Sequence, residues 1–400
     1  LTTEQYGQVA MFQLLVSLLG CFIGLSLNTF NEVRFFSDKV EKYTNLQFNS
    51  LCLFFVNTTI LLSVVLLILP YISNVFKLDS SFIYLSFIAA FFYFPIVYLL
   101  GQLQIGKLAK KYGAIQLLLA LLIALFSLLF VVYLDYGVKG RVVAIVFTYF
   151  LLFCCILVFS FRLIIKHKSS EFFLDYSEWS NALRYGVPLI PHLLGGVLIA
   201  SGERLITADL LGAKAVGVIV LAIQFVSVIS IVGQSLNQAY IPWLYSRLST
   251  LDIKARENVC KVIGFAIIGI FLLTPLFYLA LPKLFILVMG ESFKTGSELV
   301  FMLSFAGLLQ LLYFLFGNFL FFAKKTKQIT LISILSGILH FILVYVFVSE
   351  FGIVGVAMSF IVIRIFQLFL TAFFVNKYFP FLFKGIMQSY WKLMRVQYEN

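Results

Sequence analysis

Eleven long apolar stretches, separated by short polar connections, run along this 400-residue chain. A transmembrane helix needs about 20 consecutive residues that are mainly apolar. Stretches of that length predict helices at 7–29, 48–70, 81–102, 113–134, 141–163, 186–208, 216–240, 261–282, 297–322, 328–349 and 354–376. Because a helix satisfies its own backbone hydrogen bonds, it is suited to hydrocarbon. The pattern predicts an all-α polytopic membrane protein.

Basic residues are sorted to one side of these spans. Alternate connections carry 21 Lys and Arg on one side and 6 on the other, and loops rich in basic residues stay in the cytoplasm. The composition agrees: the chain is 62% hydrophobic and 12% charged, whereas soluble domains are about 25% charged. Since the net charge of +12 lies in juxtamembrane loops, it predicts no nucleic-acid partner.

Short internal matches recur at nearly one offset. Ser26-Leu-Asn28 matches Ser235-Leu-Asn237, and Ala109-Lys-Lys111 matches Ala323-Lys-Lys325, in chain order at offsets of 209 and 214. The matches predict two copies of a six-helix unit in parallel orientation, related by a pseudo-twofold axis along the membrane normal. The first copy lacks its opening helix, so we expect an N-terminally truncated chain with 11 of 12 helices.

The repeat divides the chain into four predicted parts. Residues 1–163 form an N-terminal lobe of five spans, and residues 164–185 form a cytoplasmic linker with an amphipathic interfacial helix. Residues 186–376 form a C-terminal lobe of six spans, and residues 377–400 form a basic cytoplasmic tail.

Three charged residues lie well inside predicted spans, more than three residues from either end: Glu203, Arg204 and Arg364. A charge in hydrocarbon costs about 2.5–3.5 kcal/mol on insertion scales, so such residues usually face a bundle interior or a wet cavity. Arg364 shares a helix face with Gln367 and Thr371. A packing role and a role in binding an anion both remain open for the arginines, and Glu203 is also a candidate for carrying a coupling proton.

The first predicted helix carries a face of small and polar residues, Gln13, Ser17, Gly20, Gly24 and Asn28. Its repeat counterpart has a similar set, Gln224, Ser227, Gln234, Asn237 and Gln238. Small residues often serve close helix packing, and that interpretation stays open for the glycines. The amides of Asn28, Asn237 and Gln238 are costlier to bury and better suited to a polar solute. Arg34 follows near the cytoplasmic end of the first helix, where a cation would meet an incoming anion.

Two prolines, Pro188 and Pro191, predict a break or bend at the start of the sixth span, beside His192. His192 is a second candidate for coupling, with a packing role as the alternative. The five cysteines form no metal-ligand pattern and are interpreted as packing residues. No motif for a cofactor, a metal or catalysis occurs, and no connection is long enough for an enzymatic domain.

Several stretches resemble one family. Leu183–Gly196, Glu203-Arg204, Leu210-Leu-Gly212 and Gln238–Trp243 are similar to Wzx-type polysaccharide-repeat flippases of the MOP (MATE-like) superfamily, the polysaccharide biosynthesis protein family. The resemblance covers essentially the whole chain. Members usually carry an aspartate where this chain has Glu203.

The resemblance implies two six-helix lobes around a cationic cavity that opens alternately to the cytoplasm and the periplasm of a bacterial inner membrane. Its cargo would be an undecaprenyl-pyrophosphate-linked oligosaccharide, the repeat unit of O antigen, capsule or another surface polysaccharide. Carried over by position, Arg34, Arg204 and Arg364 would bind the anionic head group, and Asn28, Asn237 and Gln238 the sugar hydroxyls. A polysaccharide polymerase is a candidate partner protein.

Three alternatives remain. A multidrug or ion antiporter of the same superfamily would need carboxylates deep in its spans, whereas the intramembrane excess here is positive. A flippase for another lipid-linked precursor also stays open. A membrane glycosyltransferase or polymerase would need a larger outer loop than 283–296. Voltage, H⁺ and Na⁺ all stay open as the source of coupling.

Overall fold

A computed structural model describes residues 1–35, 40–106, 108–166, 173–250, 252–323 and 325–387. Within these residues every regular element is a helix. The chain divides into two compact units, which we call unit 1 (Leu1–Asp209) and unit 2 (Leu210–Asn400). The predicted all-α class is confirmed.

Unit 1 contains nine helices and the start of a tenth among its described residues. They are α1 (Thr3–Gly24), α2 (Leu27–Phe35), α3 (Val40–Leu67), α4 (Leu69–Phe76), α5 (Ser80–Ile105), α6 (Ala109–Ser127, continued by a π-helical turn Leu128–Tyr133), α7 (Gly137–Lys166), α8 (Tyr176–Gly186), α9 (Ile190–Ser201) and the first residues of α10.

Unit 2 contains most of α10 and four further long helices among its described residues. They are α10 (Glu203–Thr250, with non-helical backbone at Gly212), α11 (Ile253–Met289), α12 (Ser297–Phe322), α13 (Thr326–Phe351) and α14 (Ile353–Tyr378). Its core packs α12 against α14, with an apolar cluster that includes Leu244, Ile263, Phe319 and Val375.

Ten helices in the described part are long and apolar enough to cross a membrane, judged by length and composition. They correspond to ten of the eleven predicted spans. The sixth predicted span, 186–208, is instead interrupted: a 3₁₀ turn covers Val187–Leu189, α9 ends at Ser201, and α10 begins at Glu203. Pro188 and Pro191 lack the N–H that a continuous helix needs. The predicted break is confirmed, but the single 23-residue helix is wrong.

The first predicted span, 7–29, is also interrupted. The prediction of one continuous helix is wrong, because α1 ends at Gly24 and α2 begins at Leu27. Between them Leu25 and Ser26 both adopt the left-handed conformation, at φ 46° and 54°. A non-glycine residue in this region costs of order 1–3 kcal/mol and persists only where its surroundings impose it. Asn28 therefore lies on α2 rather than on α1.

The predicted lobes, 1–163 and 186–376, stay a prediction. By contact, α9 and the first residues of α10 belong with unit 1, where α9 packs on α1. The predicted linker 164–185 contains the helix α8, whose N-cap Asp175 accepts a hydrogen bond from the Ser177 backbone N–H at 2.9 Å. Of the predicted basic tail, 377–400, residues 388–400 lie outside the described part.

Candidate functional site

A cavity of about 550 Å³ opens in unit 1 between α1 and helices α5, α7 and α9. Its wall combines apolar and aromatic side chains with amides, hydroxyls and one cation. The residues that line it are Phe12, Gln13, Val16, Ser17, Gly20, Cys21, Gly24, Ser26, Asn28, Ala90, Tyr93, Phe94, Val97, Ile145, Tyr149, Leu193, Ser201 and Arg204. A largely apolar pocket with a few convergent polar groups is typical of a binding site.

One wall of this cavity is the polar face predicted on the first span. Gln13, Ser17, Gly20, Gly24 and Asn28 all line it. The two glycines differ: a Cβ at Gly20 would meet nothing within 4 Å, whereas a Cβ at Gly24 would lie 2.8 Å from the Phe94 ring. Gly24 therefore serves the close packing of α1 on α5, and Gly20 leaves room in the cavity.

Arg204 supplies the cation of the cavity wall. Its Nη1 donates a hydrogen bond to the Ala10 carbonyl oxygen at 3.3 Å, which ties the start of α10 to α1. The Glu203 carboxylate lies 3.8 Å from Arg204 Nε, and its side chain is 1% exposed. Neither Glu203 oxygen has a hydrogen-bond partner among the described residues. Arg204 thus faces the cavity, with a buried carboxylate beside it that is not part of the lining.

The break between α1 and α2 opens onto the same cavity. Ser26 is 3% exposed, and its Oγ has no hydrogen-bond partner among the described residues. Asn28 lies in the first turn of α2. Ser26 was not predicted as a site residue. A serine rarely adopts the left-handed conformation, so the sequence predicted a continuous helix at this position.

Two tyrosines also line the cavity. The rings of Tyr93 on α5 and Tyr149 on α7 are stacked, with centroids 4.7 Å apart and planes 29° apart. Sequence reasoning missed both, because aromatic residues are frequent throughout the apolar helices and carry no positional signal of their own. Their fixed rings add a rigid, partly polar surface to the cavity.

Arg34, predicted to receive an anion, is held by a carboxylate. Its Nη1 and Nη2 donate to the two oxygens of Glu178 on α8, at 3.4 and 3.2 Å, and its guanidinium lies 5.8 Å from the Phe30 ring centre. A two-pronged pair of this kind is strong and directional. Arg34 does not line the cavity, and the structure assigns it to the contact between α2 and α8.

In unit 2 the predicted amides are paired or exposed. Asn318 on α12 donates to Asn237 Oδ1 at 2.7 Å and to the Phe314 carbonyl oxygen at 2.8 Å. Gln238 is exposed. Asn237 therefore contributes to packing between α10 and α12.

Arg364 also has a partner within unit 2. Its Nη1 donates to Gln367 Oε1 at 2.7 Å, one turn further along α14, which is the pairing that the predicted polar stripe allows. His340 is buried on α13, with its Nε2 3.4 Å from Ser359 Oγ and its ring against Phe360. For His192 only the backbone, in α9, is described, and its side chain lies outside the described part.

The structure thus brings together two of the predicted binding residues, Asn28 and Arg204, in one cavity. It adds the unpartnered hydroxyl of Ser26. Three or more His, Cys, Asp or Glu side chains do not converge anywhere among the described residues, so this part of the chain contains no metal-ligand cluster. The cavity wall combines amides, hydroxyls, one cation and aromatic rings, which suits an anionic group attached to a bulky polar or apolar body.

A profile of the polysaccharide biosynthesis protein family matches residues 1–248. The chain is also similar to Lsg locus putative protein 1 of Haemophilus influenzae, at 26% identity over 351 residues, which are 85% of this chain and 82% of the relative.

Solved structures of transporters share the fold. The Lipid II flippase MurJ in an inward closed conformation matches with a TM-score of 0.69 at 14% identity, over 100% of this chain and 87% of its own. An inward-facing multidrug resistance MATE transporter of the MOP superfamily matches with a TM-score of 0.67 at 15% identity, over 94% of this chain and 91% of its own. The predicted resemblance to the polysaccharide biosynthesis protein family is confirmed by the profile, and the predicted MATE-like fold is confirmed by these structures.

Proposed function

Because the chain belongs to the polysaccharide biosynthesis protein family, we propose that it moves undecaprenyl-pyrophosphate-linked oligosaccharide repeat units across a bacterial inner membrane. The direction is from the cytoplasmic to the periplasmic leaflet, by alternating access, for surface polysaccharide synthesis. The observation that carries the proposal is the cavity of unit 1, which both Arg204 and Asn28 line. The flippase fold of MurJ supports the same class of cargo.

The cavity has the chemistry that such a cargo needs. A pyrophosphate binds best to a guanidinium, which is always charged and presents several donors at once. Sugar rings pack against aromatic faces and bond to amides and hydroxyls, which Tyr93, Tyr149, Gln13 and Asn28 supply. The polyprenyl chain needs only lipid, and the exposed residues of α3 and α6 are mostly apolar. Arg364 is a second candidate for the head group.

Complementation tests this proposal. A strain that lacks its own flippase for a given repeat unit would receive the wild-type protein, Arg204→Ala, Arg364→Ala or Lys139→Ala at matched membrane levels. Lys139 is an exposed cation of unit 1 away from the cavity, so its variant controls for loss of charge. We expect the wild type and Lys139→Ala to restore surface polysaccharide, and Arg204→Ala to reduce it at least about tenfold, as expected for one lost charge-assisted hydrogen bond.

The outcomes test the cargo and the roles of Arg204 and Arg364 separately. Failure of the wild type with several repeat-unit types would contradict the proposed cargo and favour the antiporter. Full activity of Arg204→Ala would remove this arginine from cargo binding. Rescue by Arg364→Ala would assign Arg364 to its packing contact with Gln367.

Glu203 is proposed as the group that couples transport to protons. It is buried beside Arg204 at the cavity, and its oxygens have no hydrogen-bond partner among the described residues. Glu203→Gln keeps the shape and removes the ionisable group, so we expect transport in membrane vesicles to become independent of a pH gradient. An unchanged dependence on the gradient would exclude Glu203 as the coupling group. Wild-type transport that does not depend on a pH gradient would leave Na⁺ or voltage, worth about 2.3 kcal/mol per charge per 100 mV, as the driving force.

A further inference from the structure

A carboxylate lies in a notch of α5, near the predicted cytoplasmic ends of the helices. Glu32, on α2, is half-buried, and α2 packs against both α3 and α5. A Cβ at Gly101 of α5 would overlap Glu32 Oε1, so the carboxylate occupies the space that a larger residue would fill. The absence of a side chain at Gly101 therefore lets the Glu32 carboxylate lie against the main chain of α5.

No positive charge among the described residues balances this carboxylate. Arg34, two positions further along α2, is bonded through two nitrogens to Glu178 on α8. Glu32 forms no hydrogen bond or ion pair with any described residue. Burial raises the pKa of the Glu32 carboxyl, as expected for an anion without a compensating cation. Buried charges are usually paired or coordinate a metal ion, so a partner for Glu32 is expected.

Neutral oxygen groups of α3 and α5 lie beside the carboxylate. Tyr43 Oη donates a hydrogen bond to Gln102 Oε1 at 2.5 Å, and the charge of Glu32 acts on the hydroxyls of both Tyr43 and Tyr98. Tyr98 Oη and Gln102 Nε2 are buried and have no hydrogen-bond partner among the described residues. A Gln102 amide turned by half a rotation keeps its bond to Tyr43, with Nε2 as the donor, and presents Oε1 instead. The place thus combines one anionic group with three neutral oxygens.

We propose that Glu32, Tyr43, Tyr98 and Gln102 form a binding site for a monovalent cation such as Na⁺, at the notch of Gly101. Oxygen ligands suit hard cations, and the single carboxylate balances one positive charge. Such an ion needs no cluster of His, Cys, Asp or Glu side chains, and it would give the Tyr98 hydroxyl and the Gln102 amide the partner that they lack. The site is separate from the cavity, whose lining contains none of these residues.

Thermal unfolding of the purified full chain in detergent tests the site, because a ligand that binds only the folded state raises the melting temperature. NaCl is compared with KCl and with the chloride of the bulky cation N-methyl-D-glucamine, at constant ionic strength. Glu32→Gln keeps the shape of the side chain and removes its charge, and Glu350→Gln makes the same change at an exposed position of α13. Tyr98→Phe removes an unpartnered hydroxyl, and Tyr84→Phe removes that of an exposed tyrosine on the same helix.

We expect NaCl to raise the melting temperature of the wild type in a saturable way, and N-methyl-D-glucamine chloride to leave it unchanged. Glu32→Gln should weaken Na⁺ binding about tenfold or more, because the charge that balances the cation is gone, and Tyr98→Phe about threefold. Both control variants should bind Na⁺ within about twofold of the wild type. Without Na⁺, Glu32→Gln should melt at a higher temperature than the wild type, because it removes an unbalanced charge.

Equal stabilisation of the wild type by all three salts, or equal Na⁺ affinities of the wild type and Glu32→Gln, would overturn the inference. Similar affinities for Na⁺ and K⁺ would support the site as one that does not discriminate between small cations. If Glu32→Gln does not fold, Tyr98→Phe decides, because its lost oxygen has no partner among the described residues. These measurements use no cargo, so their failure would leave the proposed function to the complementation test.

Discussion

The same tripeptide, Ser-Leu-Asn, adopts two conformations in the two units. In unit 1, at Ser26–Asn28, it lies at a helix break and Ser26 is left-handed. In unit 2, at Ser235–Asn237, it continues α10 without interruption, and Ser235 Oγ donates to the Ile231 carbonyl oxygen at 3.0 Å. Identical local sequence therefore does not decide between a helix and a break at this position of the repeat.

The surroundings of each copy explain the difference. A Cβ at Gly186 would overlap the Leu25 carbonyl oxygen, so the end of α8 packs directly on the backbone of the break. In unit 2, Asn237 is paired with Asn318, which holds α10 against α12. Polar groups that are satisfied within the protein hold helices together, whereas those left unsatisfied around a cavity are available to a ligand.

Gly186→Ala should disturb the break between α1 and α2 more than the other substitutions below. The added methyl group overlaps the Leu25 carbonyl, and overpacking of this kind costs about 1–3 kcal/mol. Gly195→Ala is the matched control, because a Cβ there meets nothing within 4 Å. We expect thermal unfolding in detergent to show a lower stability for Gly186→Ala only. Equal melting temperatures would show that the break does not depend on the close approach of α8.

Substitutions at the two glycines of α1 should have different effects: one should lower stability and the other should block transport. Gly24→Leu would force apart α1 and α5 at Phe94, and we expect a loss of about 1–3 kcal/mol. Gly20→Leu has open space and replaces a poor helix former, so stability should be kept while the side chain fills the cavity and blocks transport. Thermal unfolding and complementation at matched levels measure both. Normal transport by Gly20→Leu would mean that the cargo does not use this cavity.

The polar pair of unit 2 should affect stability more than the unpaired serine of unit 1. Asn318→Ala removes the bond to Asn237, and such bonds in membrane proteins contribute about 0.6–1.7 kcal/mol. Ser26→Ala removes no bond within the protein, so its unfolding free energy should equal or exceed that of the wild type. A larger loss of unfolding free energy in Ser26→Ala than in Asn318→Ala would show that the Ser26 hydroxyl has a partner in the fold. The two copies of the tripeptide would then not differ in how their polar groups are satisfied.

Sequence reasoning placed ten spans, the polar face of α1 and two cavity residues, Asn28 and Arg204. These features are predictable because the length and the polarity of a segment decide locally whether it can lie in hydrocarbon. It did not find the pairing of Arg34 with Glu178, which are 144 residues apart, nor that of Asn237 with Asn318. Partners across such separations depend on which helices become neighbours, and a single sequence carries no signal for that.

The sequence by itself determined that this chain is a bundle of membrane helices with a polar face on its first span and an excess of buried positive charge. The reason is that hydrocarbon accepts little else than apolar helices of sufficient length. Only the tertiary structure decided where a helix ends within the bilayer-length stretch and which donors stay unpaired. Those outcomes depend on contacts such as Gly186 with Leu25, which form only when distant helices pack.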